Sequence, residues 1–249
     1  NVFSSKGTAP VTANAIWTLH ADGNPCENIT IASNTIYGFD YEAINIFDRD
    51  ITVSGNTIVG DGALNTGVSI TADPNDTSCH TRRVTVVGNT IKGVGNSGIY
   101  AHDRASGQGV YDLTITGNVI EWLTDADGIS IQSSVEGYIV VGNKIKTSVS
   151  DGTPYGIYAA GDNGEISSNI VDGGYRGIYL NALSYFSCIG NIVFNQTNHG
   201  IRTDSASYGS IVANILYDNG GRGLNVYGGS DLVISSNEAY NNTSGSAIY

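Results

Sequence analysis

The sequence predicts an all-β solenoid, a chain wound into stacked coils whose strands run parallel. Three observations predict it. A phrase with apolar residues at alternate positions, ending in a turn at Asn, recurs along the chain. A second phrase, Gly-Ile-x-Ile, follows it in most copies. No stretch between them carries a helical period. The clearest copy of the first phrase is Val84-Thr85-Val86-Val87-Gly88-Asn89-Thr90-Ile91, followed by Gly98-Ile99-Tyr100-Ala101. Further copies centre on Asn34, Asn56, Asn118, Asn143, Asn169, Asn191, Asn214 and Asn237, spaced 22, 33, 29, 25, 26, 22, 23 and 23 residues apart from Asn34 onward. The short spacings are the bare repeat and the long ones carry loop insertions.

Each element follows from its local pattern. In the first phrase the aliphatic residues lie five and three before the Asn and two after it, as Val84, Val86 and Ile91 do around Asn89. Thr, Ser or Gly fill the gaps, so the period is two, as on a half-buried strand. The Asn marks a sharp turn. It tolerates the left-handed backbone, and the Gly or Ser before it eases the bend. Asn side chains repeated at one turn of every coil are expected to hydrogen-bond along the stack. The second phrase is a strand, with copies beginning at Gly67, Gly128, Gly156, Gly177, Gly200 and Gly223. Ala15–Leu19 reads as a degenerate first copy, and residues 1–12 read as an irregular lead-in. Loops fill Thr71–Arg83, His102–Tyr111 and Lys146–Tyr155, and from Gly156 the coils are short and regular. No single repeat can bury its own apolar face, so stacking has to supply one continuous core.

These repeated Asn turns and Gly-Ile-x-Ile strands resemble the right-handed parallel β-helix of the pectate-lyase-like superfamily over nearly the whole chain. The resemblance implies one domain, 1–249, of about nine to ten coils of roughly 22–33 residues. A leucine-rich horseshoe is the structural competitor, but its Leu framework is missing. The superfamily includes polysaccharide lyases, epimerases, hydrolases and phage tailspikes.

Composition narrows the partners. The formal charge is −12, with 11 Lys and Arg together. Such a surface repels nucleic acid and anionic membranes, so neither is expected as a partner. No apolar run reaches membrane-spanning length. The chain opens without Met and closes on Gly245–Tyr249, the start of another Gly-Ile-type strand, so a piece of a longer protein is expected. Three Cys are present. Cys188 falls on a core-facing position and reads as a buried thiol. Cys26 and Cys79 lie two coils apart, about 9.6 Å along the axis, beyond disulfide reach unless the loop before Arg83 bends back. Asp73-Pro74-Asn75-Asp76 reads as a solvated turn, with calcium as the alternative.

Stacked coils place equivalent residues in columns. The outward residues of the Gly-Ile strands are Trp17, Asn45, Ser69, Tyr100, Ser130, Tyr158, Tyr179, Arg202, Asn225 and Tyr249. Two residues on come Phe47, Thr71, His102, Gln132, Ala160, Asn181, Asp204 and Tyr227. Just before the Gly come Glu42, Thr66, Ser97, Asp127, Tyr155, Arg176, His199 and Arg222. The outward residues of the Asn phrase are mostly Thr, Ser and Gly, a bland face by comparison. Rings beside hydrogen-bonding groups suit sugars. The plainer reading is that Tyr forms exposed strands well.

Arg176, His199, Arg202 and Arg222 form a basic cluster from consecutive coils, beside Tyr155, Tyr158 and Tyr179. Arg suits bidentate carboxylate or sulfate recognition, so an acidic polysaccharide is the expected partner. The competing reading pairs these Arg with Asp204 or Asp172. Lyases and epimerases of the superfamily need a cation on the uronate carboxylate, a base and a proton donor. By that resemblance Arg202 or Arg176 neutralises, His199 is the base, and Tyr179 or Tyr158 is donor or base. Tyr100, His102, Gln132, Tyr155, Tyr158, Asp204, Arg222 and Tyr227 would line the substrate. A second constellation, His102-Asp103-Arg104 with Asp125, Asp127 and Gln132, suits hydrolysis, in which Asp127 and another carboxylate act together. The motifs of polygalacturonases and alginate epimerases are missing. The reading preferred is an extracellular polysaccharide-degrading enzyme, secreted or part of a tailspike, which the resemblance would make a homotrimer. The alternative is a non-catalytic shaft, adhesin or carbohydrate-binding repeat.

Overall fold

The computed structural model describes residues 1–4, 14–18, 26–39, 41–61, 65–72, 80–103, 109–124, 126–148 and 154–244. One coil shows how the others are built. A leading strand, Thr81–Val87, ends in a turn at Gly88 and Asn89. A trailing strand, Thr90–Lys92, follows, and after a second corner comes the Gly-Ile strand, Ser97–Asp103. Each strand pairs in parallel only with its copies in neighbouring coils. The result is three sheets of nine leading, ten trailing and nine Gly-Ile strands among the described residues. The chain is therefore a parallel β-solenoid, as its period predicts. These residues contain no helix, so none is long and apolar enough to cross a membrane.

Alternate residues of all three sheets point inward. Val84, Val86, Ile91, Ile99 and Ala101 of this coil are fully buried, as are their counterparts above and below. Each large aliphatic side chain taken from water is worth about 1.5–3 kcal/mol, which a lone coil could not collect. The Gly of Gly-Ile is set by crowding at the corner. A Cβ on Gly177 would lie 2.0 Å from Val193 Cγ1 and 2.7 Å from the Gly200 carbonyl oxygen. Cys188 is fully buried, as expected, and burial pushes its thiol up to about 12.

The Asn ladder forms. From Asn34 to Asn214, each Nδ2 donates to Oδ1 of the Asn in the next coil at 2.9–3.0 Å. Most also donate to a leading-strand carbonyl one coil back, as Asn118 does to Val86 at 2.9 Å. The turn itself differs from expectation. The left-handed residue is the one before the Asn (Ser33, Gly55, Gly88, Gly117, Gly142, Ser168, Gly190, Ala213 and Ser236), not the Asn. The preceding residue absorbs the bend, which leaves the amide free to point along the stack. A second, shorter ladder that the repeat did not announce joins Gln196, Asn219 and Asn242 at the next corner.

The lead-in also differs. Val2–Ser4 is a trailing strand paired with Thr35–Tyr37, so the winding begins before the first recognisable repeat. Its three residues carry too little pattern to show a period. Ile16–Thr18 pairs with the Gly-Ile strand Glu42–Ile46, as the degenerate copy predicts. Cys79, the Asp73–Asp76 turn and Tyr249 lie outside the described residues, and with them the disulfide and calcium readings.

Candidate functional site

The columns on the Gly-Ile sheet are realised residue by residue. Trp17, Asn45, Ser69, Tyr100, Ser130, Tyr158, Tyr179, Arg202 and Asn225 are successive partners in register. Asn181, Asp204 and Tyr227 form the neighbouring column, and Tyr155 pairs with Arg176 on the other side. The wall is not uniformly open. Asn45, Ser69, Ser130 and Asn225 point away from the core yet are buried. An outward position was expected to be exposed, but a short polar side chain on a sheet is easily overhung by longer neighbours. The half-exposed groups are the rings and guanidinium groups of the later coils.

Those groups form one packed cluster. Tyr155, Tyr158 and Tyr179 meet with ring centroids 5.1–5.7 Å apart. The Arg176 guanidinium sits 4.7 Å from the Tyr179 ring, 4.9 Å from Tyr175 and 5.7 Å from Tyr155. It makes no ion pair among the described residues, and its buried Nε has no hydrogen-bond partner. Arg202 differs. Its Nη2 donates to Asp204 Oδ2 at 3.1 Å, so the pairing with Asp204 holds for this Arg, and the guanidinium lies 5.1 Å from the Tyr227 ring. Asp204 Oδ2 also accepts from the Tyr179 hydroxyl at 3.2 Å. Asn181 Nδ2 donates to the Tyr158 phenol oxygen at 2.9 Å. Burial, and after it the Asp204 charge, raises the Tyr179 phenol above its ordinary value, so at neutral pH it keeps its proton.

His199 lies among the three Arg, but its nitrogens are committed. Nδ1 accepts from the Arg222 backbone N–H at 3.0 Å. Neutral imidazole carries one proton, which must then be on Nε2, and the Asn225 amide 2.9 Å away has to present its oxygen to it. Gly221 makes this possible, since a Cβ there would lie 2.6 Å from Nδ1. Burial, then the charges of Arg176, Arg202 and Arg222, lowers His199 to about 4. No lone pair remains for a substrate proton. His199 is therefore a neutral strut that ties one coil to the next.

The second constellation adjoins the first. Asp127 Oδ1 accepts from the Tyr155 backbone N–H at 2.9 Å, and burial pushes this carboxyl up to about 6. Tyr100, one coil earlier, is raised by burial and then by the charge of Asp127. The Tyr100 and His102 rings stack at 4.1 Å, and His102 Nε2 lies 3.2 Å from Thr71 Oγ1. Gln132 Nε2 donates to Ser130 Oγ at 3.1 Å. Arg104 and Asp125 lie outside the described residues. Among the described residues no group of three or more His, Cys, Asp or Glu is placed to hold a metal. Register thus brings the predicted residues onto one wall from Tyr100 to Tyr227, densest around Arg176.

Comparison with known proteins supports the architecture. Residues 127–249 match the family model described as "Right handed beta helix region". Among solved structures the chain is similar to the A-module of the mannuronan C-5 epimerase AlgE4 of Azotobacter vinelandii. The TM-score is 0.65 at 16% identity, over 93% of this chain and 68% of that one. It is similar to the enzymatically active domain of bacteriophage CBA120 tailspike protein 2, with a TM-score of 0.58 at 13% identity over 88% of this chain and 43% of that one. A double mutant of the periplasmic alginate epimerase AlgG gives a TM-score of 0.51 at 13% identity over 83% of this chain and 50% of that one. The chain spans half or less of the last two. No curated protein sequence matches it. At these identities the likeness shows the fold, a right-handed parallel β-helix.

Proposed function

We propose that this right-handed parallel β-helix acts on an acidic polysaccharide laid along its axis, with a uronate carboxylate seated on Arg176. One observation carries the reading: Arg176 is a guanidinium without a carboxylate, held among three tyrosine rings with its Nε buried and unpartnered. A buried guanidinium N–H without an acceptor costs free energy that an anion seated there would offset. Two phenols flank the seat. Tyr158, whose oxygen accepts from Asn181, would have to enter the step as the phenolate, and it becomes the neutral phenol on taking the proton beside the carboxylate. Tyr179 keeps its proton and is the donor to the leaving oxygen or the opposite sugar face, with Asp204 and Arg202 orienting it. This is lyase- or epimerase-type chemistry. A hydrolytic route would rest on Asp127, whose value near 6 suits an acid or base close to neutrality. The structurally similar tailspike domain and periplasmic epimerase favour a place outside the cytoplasm, secreted or on a virion surface.

The test is a panel of uronate polymers assayed for unsaturated products, reducing ends and epimerisation. Arg176→Ala and Tyr179→Phe are each expected to lower kcat/KM about 100-fold or more while the fold persists. Full activity in both variants would dismiss the assignment. Tight binding without turnover in the parent would favour the second reading, a carbohydrate-binding shaft.

A further inference from the structure

Three adjoining cavities of about 640, 440 and 420 Å³ run along the corner where the chain passes from the Gly-Ile sheet into the leading strands. The first and third share Asp112, Gly137 and Asn163, and the second and third share Tyr111 and Glu136, so they form one axial groove. The largest is of the size that small-molecule sites take, about 300–1,000 Å³. Its rim is a column of left-handed residues, one per coil: Asp112, Gly137, Asn163 and Tyr185.

Asp, Gly and Asn sit easily in that conformation, but a tyrosine does not. Tyr185 at φ 57° and Tyr208 at φ 54° hold it nonetheless. Their rings stack at 5.3 Å with 13° between planes, which offsets part of the cost. Tyr208 covers one face of Tyr185 and does not line the cavity; Tyr185 does, so its other face closes the groove. The left-handed residue recurs at this corner in other coils, as at Asp50 and Arg83, so the winding sets the backbone and the ring of Tyr185 is what is particular to the groove. Beneath the floor, the buried Tyr138 hydroxyl also lacks a hydrogen-bond partner.

The charge of the groove selects its occupant. Asp103, Asp112, Glu136, Asp162 and Glu165 line it, against a single guanidinium, that of Arg82. This is the reverse of the Arg176 wall and excludes a polyanion. An open aromatic face beside hydrogen-bond acceptors fits an uncharged sugar, whose C–H face stacks while its hydroxyls donate. We infer that this groove is a second carbohydrate site, taking a neutral oligosaccharide with one ring on the open face of Tyr185 and hydroxyls donating to Asp112, Asn163 and Glu165. It lies on a different corner from the Arg176 wall and stands whether or not that wall is catalytic.

The experiment titrates the intact protein calorimetrically with neutral gluco-, manno- and xylo-tetrasaccharides, an oligouronate and a chitosan tetramer. Tyr185→Asn is the informative variant, because it removes the ring and leaves a residue suited to the left-handed backbone. At least one neutral tetrasaccharide should bind. Tyr185→Asn should weaken it about tenfold or more with the fold intact by circular dichroism, and Arg176→Ala should leave it unchanged. Asp112→Asn should weaken it severalfold. The inference is overturned if no neutral sugar binds, if Tyr185→Asn binds like the parent, or if only the uronate or chitosan oligomer depends on Tyr185. It is equally overturned if sedimentation shows Tyr185→Asn dissociating an oligomer, which would make the groove a subunit interface.

Discussion

Asp127 and His199 are shifted in opposite directions by the same cause, loss of water around the charged form. Asp127 rises from 3.8 to about 6. Between those values the folded chain holds a proton that the unfolded chain has released. Its contribution to stability therefore declines as pH rises through that window and is fully adverse above it. His199 falls from 6.5 to about 4, so the unfolded chain takes up a proton the folded chain refuses, and stability declines as pH falls through 6.5 towards 4. Asn at position 127 keeps an oxygen for the Tyr155 N–H and discards the charge. Asp127→Asn is expected to raise unfolding free energy at pH 7.5 by about 1–3 kcal/mol, with little gain at pH 4. Urea melts at the two pH values check this, and equal gains at both would refute it. The outward placement of both residues was legible from the repeat. The role of His199 was not, because the Arg222 N–H that occupies Nδ1 is 23 residues away in sequence and meets it only through register.

At the scale of a strand, size alternates inside the core. In the inward column of the leading sheet, Leu113 is followed by Tyr138 and then Gly164. One coil later Phe186 is followed by Gly209. Each glycine yields its space to the ring below. A Cβ on Gly164 would lie 2.0 Å from Tyr138 Cζ, and one on Gly209 2.1 Å from Phe186 Cε1. Gly164→Ala is expected to cost about 1–3 kcal/mol through overpacking. Tyr138→Leu, which restores the residue found one coil earlier, should recover most of that loss in the double variant. A double-mutant cycle from chemical denaturation measures the coupling, and additive losses would show that the two do not share the space. The same leading strands present a mostly bland outer face, as their Thr and Ser predicted. The groove escaped sequence reading because Asp112, Asn163 and Tyr185 are not in the alternating part of the phrase. They sit at the left-handed residue before it, where the repeat shows no common residue type.

Over the whole molecule, binding energy must accumulate coil by coil. The column from Tyr100 to Asn225 makes five steps of one strand spacing, about 24 Å. Affinity for a uronate oligomer is expected to rise with length until the ligand spans that distance and then level off, as calorimetry on a size series would show. A plateau at a monosaccharide would mean that Arg176 acts alone. Because the protein carries a formal charge of −12, long-range repulsion opposes a polyanion while Arg176 attracts it locally. The repulsion is screened first by salt, so moderate salt should cost this interaction less than it costs a uniformly basic binder.

The sequence by itself determined the solenoid, the three strands of each coil, the Asn ladder and the identity of the columns. Each of these follows from a period, and a period is a local property copied along the chain. Tertiary structure decided which outward residues are open, that Arg176 lacks a carboxylate while Arg202 has one, that His199 is tied down, and that the hollow lies beside Tyr185. Most of those outcomes depend on side-chain reach between coils 22 or more residues apart, and even the Arg202–Asp204 pair, two residues apart on one strand, depends on side-chain geometry that no period encodes.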